Sequence, residues 1–259
     1  MNLLLVGPSK RIEEFDLGHY NQKKEEGYEV ISYSGSLPYL HKIGFAPDYY
    51  CFFDPFTLGL QYHLYKNDPE YFKTINLLIH DLYAKDFKAY HGMGFTSKKL
   101  TNKVALCKKV FKLIADFDKY YNRVYKHKAA KVNIHSYDKE CKLEEQCCLF
   151  AGVIKGKGGS GKVVNPDKFT HVLLPLILNH FQAPGRPGID KIHCVGFGDF
   201  DTGRFGKAYP VNNTEGYEEY KGTFMTMIGF YRNYFRSRNI EISFENPNFY
   251  STYLSTINK

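Results

Sequence analysis

The chain has 259 residues, a formal net charge of +8, 43% hydrophobic and 17% aromatic residues, and no Trp. That length can bury a sizeable core, and the aromatic and apolar content excludes a disordered chain. No apolar stretch reaches the ~20 residues of a membrane-spanning helix, and Leu3–Val6 is too short for the apolar part of a secretory signal, so a cytoplasmic chain is expected.

Asn2-Leu3-Leu4-Leu5-Val6 reads as a buried strand ended by Gly7-Pro8-Ser9. The polar run Lys10–Glu14 starts a short helix or loop. Val30–Ser34 is a second strand, followed by a Gly-Ser turn, and Asp48–Phe53 is a third, stopped by Asp54-Pro55. Short apolar strands with room for helices between them point to a β-α-β series and a parallel sheet. From Phe56 to Lys142 the texture changes to Lys, Tyr and Phe in helical spacing. Val104, Cys107, Val110, Phe111, Ile114, Phe117 and Tyr121 form the seam of one long amphipathic helix, read as core packing. A helical insert over about 56–142 is the expectation.

Leu149–Ile154 is the next strand, followed by a Gly/Lys-rich loop to Lys162 and an apolar helix over about Lys168–Phe181. After the turn at Pro184–Gly188, Lys191–Phe197 is a strand closed by Gly198-Asp199-Phe200-Asp201. A last helix over about Tyr217–Arg238 leads into the strand Ile240–Phe244. The whole is read as one α/β domain with a doubly wound, mostly parallel sheet. Ligands of such sheets bind outside the carboxyl ends of the strands. Those ends are Gly7-Pro8-Ser9, Ser34-Gly35, Asp54, the Gly-rich loop and Asp199.

Gly156–Lys162 fits the start of a phosphate-binding loop, G-x-x-x-x-G-K, but Val163 stands where Ser or Thr would bind Mg²⁺. Asn165-Pro166 follows where that motif needs a continuous helix. The segment therefore reads either as a flexible loop meeting phosphate through lysine and backbone N–H, or as a plain surface loop. The ten histidines show no H-x-x-x-H pair, so no metal site is expected, and His193 reads as a satisfied core histidine. Asp199 and Asp201 either cap a loop or meet a ligand or metal. The six cysteines contain no C-x-x-C pair and read as buried, reduced thiols. The basic excess is a solvated surface or an attraction to nucleotide, nucleic acid or an anionic membrane face. Lys119–Lys131 mixes basic and aromatic residues as a nucleic-acid surface would, but reads in preference as a solvated helix face.

Taken together, the strand ending in Gly7-Pro8-Ser9, the strand ending at Ser34, Phe53-Asp54-Pro55, Ser160-Gly161 and Val195-Gly196-x-x-Asp199-Phe200 resemble the bacterial (Campylobacter-type) sialyltransferases. The archaeal pterin diphosphokinase-like and flagellin-glycosylation proteins share much of this pattern. The resemblance implies a Rossmann-like, single-domain GT-A-like glycosyltransferase with a lid over about 202–221. Such an enzyme uses a CMP-activated sugar and a glycan acceptor, without a metal ion or other cofactor. It implies that Gly7, Pro8 and Ser9 cradle the nucleotide, and that Ser34 and Asp54 occupy the places of two asparagines near nucleotide and donor sugar. Ser160 and Gly161 fall on the donor loop. Tyr209, with Arg204 or Lys207, falls after Asp199-Phe200 where the leaving phosphate is held. The family's lid histidine has no counterpart, since 212–220 holds only the carboxylates Glu215, Glu218 and Glu219. Glu219 is the expected base, with Asp54 next.

Two other functions fit the same residues. One is a Mg²⁺-dependent pterin or nucleotide diphosphokinase-like enzyme, with Asp54, Asp199 and Asp201 as oxygen ligands. The other is a basic RNA- or anion-binding module without catalysis. Peripheral contact with the inner membrane face and a homo-oligomer are further expectations for a basic, aromatic-rich chain.

Overall fold

The computed structural model describes residues 1–51, 64, 67–80, 124–127, 153–155, 161–163, 169–197, 228–247 and 249–255. In chain order these form β1 (Asn2–Val6), a 3-10 turn (Lys10–Glu14), α1 (Leu17–Glu25), β2 (Tyr28–Tyr33), a 3-10 turn (Ser34–Ser36), α2 (Leu37–Lys42) and β3 (Tyr49–Cys51). Then come α3 (Pro69–Lys73), β4 (Asn76–His80), β5 (Val124–His127), β6 (Val153–Lys155) and β7 (Gly161–Val163). A π-helical turn (Phe169–Leu173) runs into α4 (Leu174–Phe181), followed by β8 (Lys191–Val195). Helix α5 spans 228–237, and β9 (Glu241–Phe244) and α6 (Phe249–Leu254) complete the described chain.

Seven strands make one sheet in the order β5-β4-β3-β2-β1-β8-β9, and every neighbouring pair is parallel. Parallel neighbours need crossover connections, which cover the faces of a sheet and bury its strands on both sides. That is why β1 is an unbroken apolar run rather than an alternating one. Leu3 and Leu5 point into one core with Ile31, Ile192 and the α4 and α5 residues Leu174, Ile177, Tyr231 and Phe235. Leu4 and Val6 point into the other, with Val30, Tyr20 of α1 and Leu40 of α2. The α/β reading with a parallel sheet and helices on both faces holds.

Local sequence explains the helix ends. Asp16 caps α1 by accepting the His19 N–H at 3.0 Å, and Asp68 caps α3 by accepting the Tyr71 N–H at 3.1 Å, ahead of Pro69 in the first turn. Helix α4 is buried from Leu174 to Leu178, as its lack of a polar face requires. Pro175 stands in its first turn, directly after the π-helical turn that leads into the helix.

Two expectations are corrected here. The region 56–142 is not a helical insert that interrupts the sheet: β4 and β5 lie within it and extend the sheet beyond β3. Asn76–His80 is a short apolar run that periodicity alone cannot assign to helix or strand, and Val124–His127 sits in Lys- and Tyr-rich sequence that hides a four-residue strand. The middle of the Lys119–Lys131 mixture is therefore an edge strand, not a helix face. The long seam Val104–Tyr121 lies outside the described residues. The phosphate-loop pattern also fails structurally. Gly161–Val163 is a strand paired antiparallel with Val153–Lys155, where such a loop would open a helix.

Of the cysteines, Cys51 and Cys194 are buried free thiols, and burial pushes both well above the usual thiol range. The other four lie outside the described residues. No helix among the described residues is long and apolar enough to cross a membrane.

His193 is tied into the sheet through both ring nitrogens. Its Nδ1 lies 2.8 Å from Ser243 Oγ and its Nε2 lies 2.6 Å from Glu245 Oε2, both across the β8–β9 pair. A neutral ring satisfies both contacts, donating from Nε2 to the carboxylate and accepting the serine proton at Nδ1. Desolvation lowers its pKa below the ordinary 6.5, with Glu245 opposing and Lys23 and Lys191 adding to the effect. The unfolded chain then takes up a proton near pH 6.5 that the folded chain resists. The stabilisation is present above that pH and is lost as the pH falls from there toward the folded value. His193→Gln can donate and accept at similar places without titrating. Its urea-unfolding free energy should fall less steeply than the wild type's between pH 8 and pH 5, leaving the share contributed by His19, also depressed by burial. Parallel pH profiles would remove His193 as the source.

Candidate functional site

The order of the sheet reverses at β1: the chain winds outward through β2, β3, β4 and β5, then returns to place β8 on the other side. In open parallel sheets, ligands commonly bind at such a switch point, outside the carboxyl ends of the central strands. Here the loops at those ends are Gly7-Pro8-Ser9 after β1 and Gly196-Phe197 after β8, with the Ser34–Ser36 turn after β2 beside them.

The β1 and β8 loops are bound to one another. Gly7 N–H donates to Val195 O at 2.7 Å, and Ser9 N–H donates to Gly196 O at 3.2 Å. A Cβ on Gly7 would stand 2.3 Å from Gly196 O, a backbone atom that cannot swing aside. Gly196 in turn has φ +72°, the left-handed region that favours glycine, and its Cβ would stand 2.5 Å from Ile12 Cγ2. Ser9 is buried, and its Oγ accepts the Arg11 N–H at 3.2 Å. Below the loops, Phe197 stacks on Tyr33 with centroids 6.2 Å apart and meets Phe169 at 4.7 Å. These three rings are buried in the core on one face of the sheet.

The β2 end is held as firmly. Ser36 is fully buried. Its Oγ lies 2.9 Å from Val6 O, 2.8 Å from Ser32 Oγ and 3.1 Å from Tyr33 N. With one proton to give, it donates to Val6 O and accepts from Ser32 and the Tyr33 N–H. This ties the carboxyl ends of β1 and β2 together. Ser34 has φ +57°, a left-handed conformation that costs a non-glycine residue about 1–2 kcal/mol. Its carbonyl accepts the hydroxyl proton of buried Tyr50 at 3.0 Å. Pro8, Ser34 and Gly35 are half-buried and Lys10 is exposed, so they form the accessible rim.

Of the residues the sequence nominated, the structure gathers Gly7, Pro8, Ser9 and Ser34 at this switch point. Gly161 lies in β7, paired with Lys155 in a separate two-stranded sheet. Asp54, Ser160, Asp199, Arg204, Lys207, Tyr209 and Glu219 lie outside the described residues, as do Asp201 and the lid. The role expected of Gly7, close approach of a ligand to its backbone, is corrected. The space before its α-carbon is filled by Gly196 and Phe197, and the N–H groups of Gly7 and Ser9 are spent on the carbonyls of Val195 and Gly196. Sequence reasoning missed Ser36, Tyr50 and the Gly196 contact. Ser36 carried a weak signal as a serine beside a strand-ending turn; Tyr50 carried none, because its partner lies across the β2–β3 pair.

Gly7→Ala should lower the unfolding free energy by about 2 kcal/mol or more, as overpacking against fixed backbone does. The denaturation midpoint with and without nucleotide checks it. A variant as stable as the wild type would mean that the two loops are not locked together.

Comparison with family models, with curated proteins and with solved structures found no match.

Proposed function

We propose that the chain is a nucleotide-sugar glycosyltransferase of sialyltransferase-like, Rossmann-like type, transferring a sugar from a CMP-activated donor to a glycan acceptor with inversion. The observation that supports this reading is the reversal of strand order at β1, with the Gly7-Pro8-Ser9, Ser34–Ser36 and Gly196-Phe197 loops meeting there. Nucleotides are a common occupant of that place in open parallel sheets. The motif resemblance supplies the choice of CMP-sugar. The rim of Pro8, Ser34 and Gly35 would meet the nucleoside. Arg204, Lys207 and Tyr209 would hold the leaving phosphate, and Glu219, or failing it Asp54, would accept the acceptor's hydroxyl proton. An inverting displacement needs such an acceptor as the new bond forms. Polysaccharide or lipid-linked glycan synthesis at the inner membrane face is the setting this chemistry fits.

A thermal-shift comparison of CMP, UDP, GDP and ATP, each with and without Mg²⁺, tests the reading. CMP alone should raise stability by about 2.7 kcal/mol at a hundredfold excess over its Kd, and EDTA should leave the shift unchanged. ATP or GDP binding only with Mg²⁺ would replace it with the diphosphokinase reading. Salt-steep RNA binding with no nucleotide response would replace it with the anion-binding module. If CMP binds, Glu219→Gln should reduce sugar transfer by ~10²-fold or more while donor affinity is kept.

A further inference from the structure

Ser34 is held in its left-handed conformation from several sides. The turn that it opens is clamped by Ser36, whose Oγ meets Tyr33 N and Tyr33 O, both at 3.1 Å, and reaches Val6 O on β1 at 2.9 Å. Its own carbonyl is held from the neighbouring strand by the Tyr50 hydroxyl at 3.0 Å. Tyr50 stands opposite Ser32 in the β2–β3 register and is fully buried, so its ring is fixed by packing. A non-glycine residue keeps a positive φ only where its surroundings over-determine it, and such residues cluster where a ligand is met. The position fits: Ser34 is half-buried on the rim beside the β1 loop. The N–H groups of Gly7 and Ser9 are already spent and Pro8 has none, so the β1 loop offers the rim no backbone donor of its own.

We propose that Tyr50 is a positioning residue, whose hydroxyl fixes Ser34 in the conformation that meets the nucleotide at the β1–β2 rim. This rests on the nucleotide reading given above. Tyr50 touches no ligand; it acts through the Ser34 carbonyl, as a buried hydroxyl that sets the direction of the chain leaving β2.

The test measures CMP affinity by calorimetry, and the thermal midpoint, for wild type, Tyr50→Phe, Ser34→Gly and the double variant. Tyr50→Phe keeps the ring and loses only the hydroxyl. It should weaken CMP binding by ~10-fold, the scale of one hydrogen bond's net contribution. Ser34→Gly adopts positive φ without strain and removes the hydroxyl, so it should also weaken binding while its midpoint holds or rises. Because Tyr50 acts only through Ser34, the double variant should bind CMP no more weakly than Ser34→Gly alone. A Tyr50→Phe chain with lowered midpoint but wild-type CMP affinity overturns the proposal and leaves Tyr50 a packing residue. Additive losses in the double variant overturn it as well, since Tyr50 would then act elsewhere. A wild-type chain that binds no CMP defeats the nucleotide reading itself, and the proposal falls with it. Binding by the wild type separates that failure from the first two.

Discussion

The contact between the loops leaving β1 and β8 is the constraint on which the rest of the described structure depends. β1 lies at the centre of the sheet, with β2 in register on one side and β8 on the other. For both neighbours to stay paired to the ends of the strands, the chain after Val6 must pass within hydrogen-bond reach of the chain after Val195. Two backbone hydrogen bonds join them, and the approach leaves Gly7 no room for a Cβ against Gly196 O, while Gly196 takes φ +72° and its Cβ would meet Ile12 Cγ2. Glycine at position 7 is a requirement of backbone packing, and at position 196 of a left-handed turn packed on Ile12.

That constraint shapes what a ligand can meet. A loop that cradles a phosphate must leave its N–H groups pointing outward. Here the N–H groups of Gly7 and Ser9 point at the carbonyls of Val195 and Gly196, and the Ser9 hydroxyl is turned to Arg11. The accessible part of the switch point is the rim, where Ser34 is held in a left-handed turn and Lys10 is exposed. Beneath the rim, Tyr33, Phe197 and Phe169 pack against one another in the buried core. The same logic runs through β8 and β9. His193, Ser243 and Glu245 satisfy one another where β8 and β9 pair, so the half-buried histidine is a cross-strand tie.

How much was legible follows the range of the interactions. Leu3–Val6, Val30–Tyr33 and Tyr49–Cys51 announce themselves as strands because a continuous apolar run ended by Gly, Ser or Asp-Pro is a local signal. α4 is legible in the same way, as an apolar run too long for a strand. The parallel sheet follows from the spacing between those runs, since only crossovers fit there. β4 and β5 were misread because their residues look alike in helix and strand; only a neighbour already in the sheet could decide, and β3 is that neighbour. The switch-point cluster of Gly7, Pro8, Ser9 and Ser34 was nominated from sequence. What Gly7 does there was not legible.

The sequence by itself determined an α/β chain whose central strands are buried on both faces, and that the ends of β1 and β2 would lie side by side. These depend on composition and short-range order, which are written along the chain. Only the tertiary structure decided that Gly7 is matched to Gly196, that Ser34 is held by Tyr50, and that His193 is spent on Ser243 and Glu245. Each of these joins residues on different strands, brought together by sheet register. Register arises from burying every strand at once, so no single segment carries a trace of its partner.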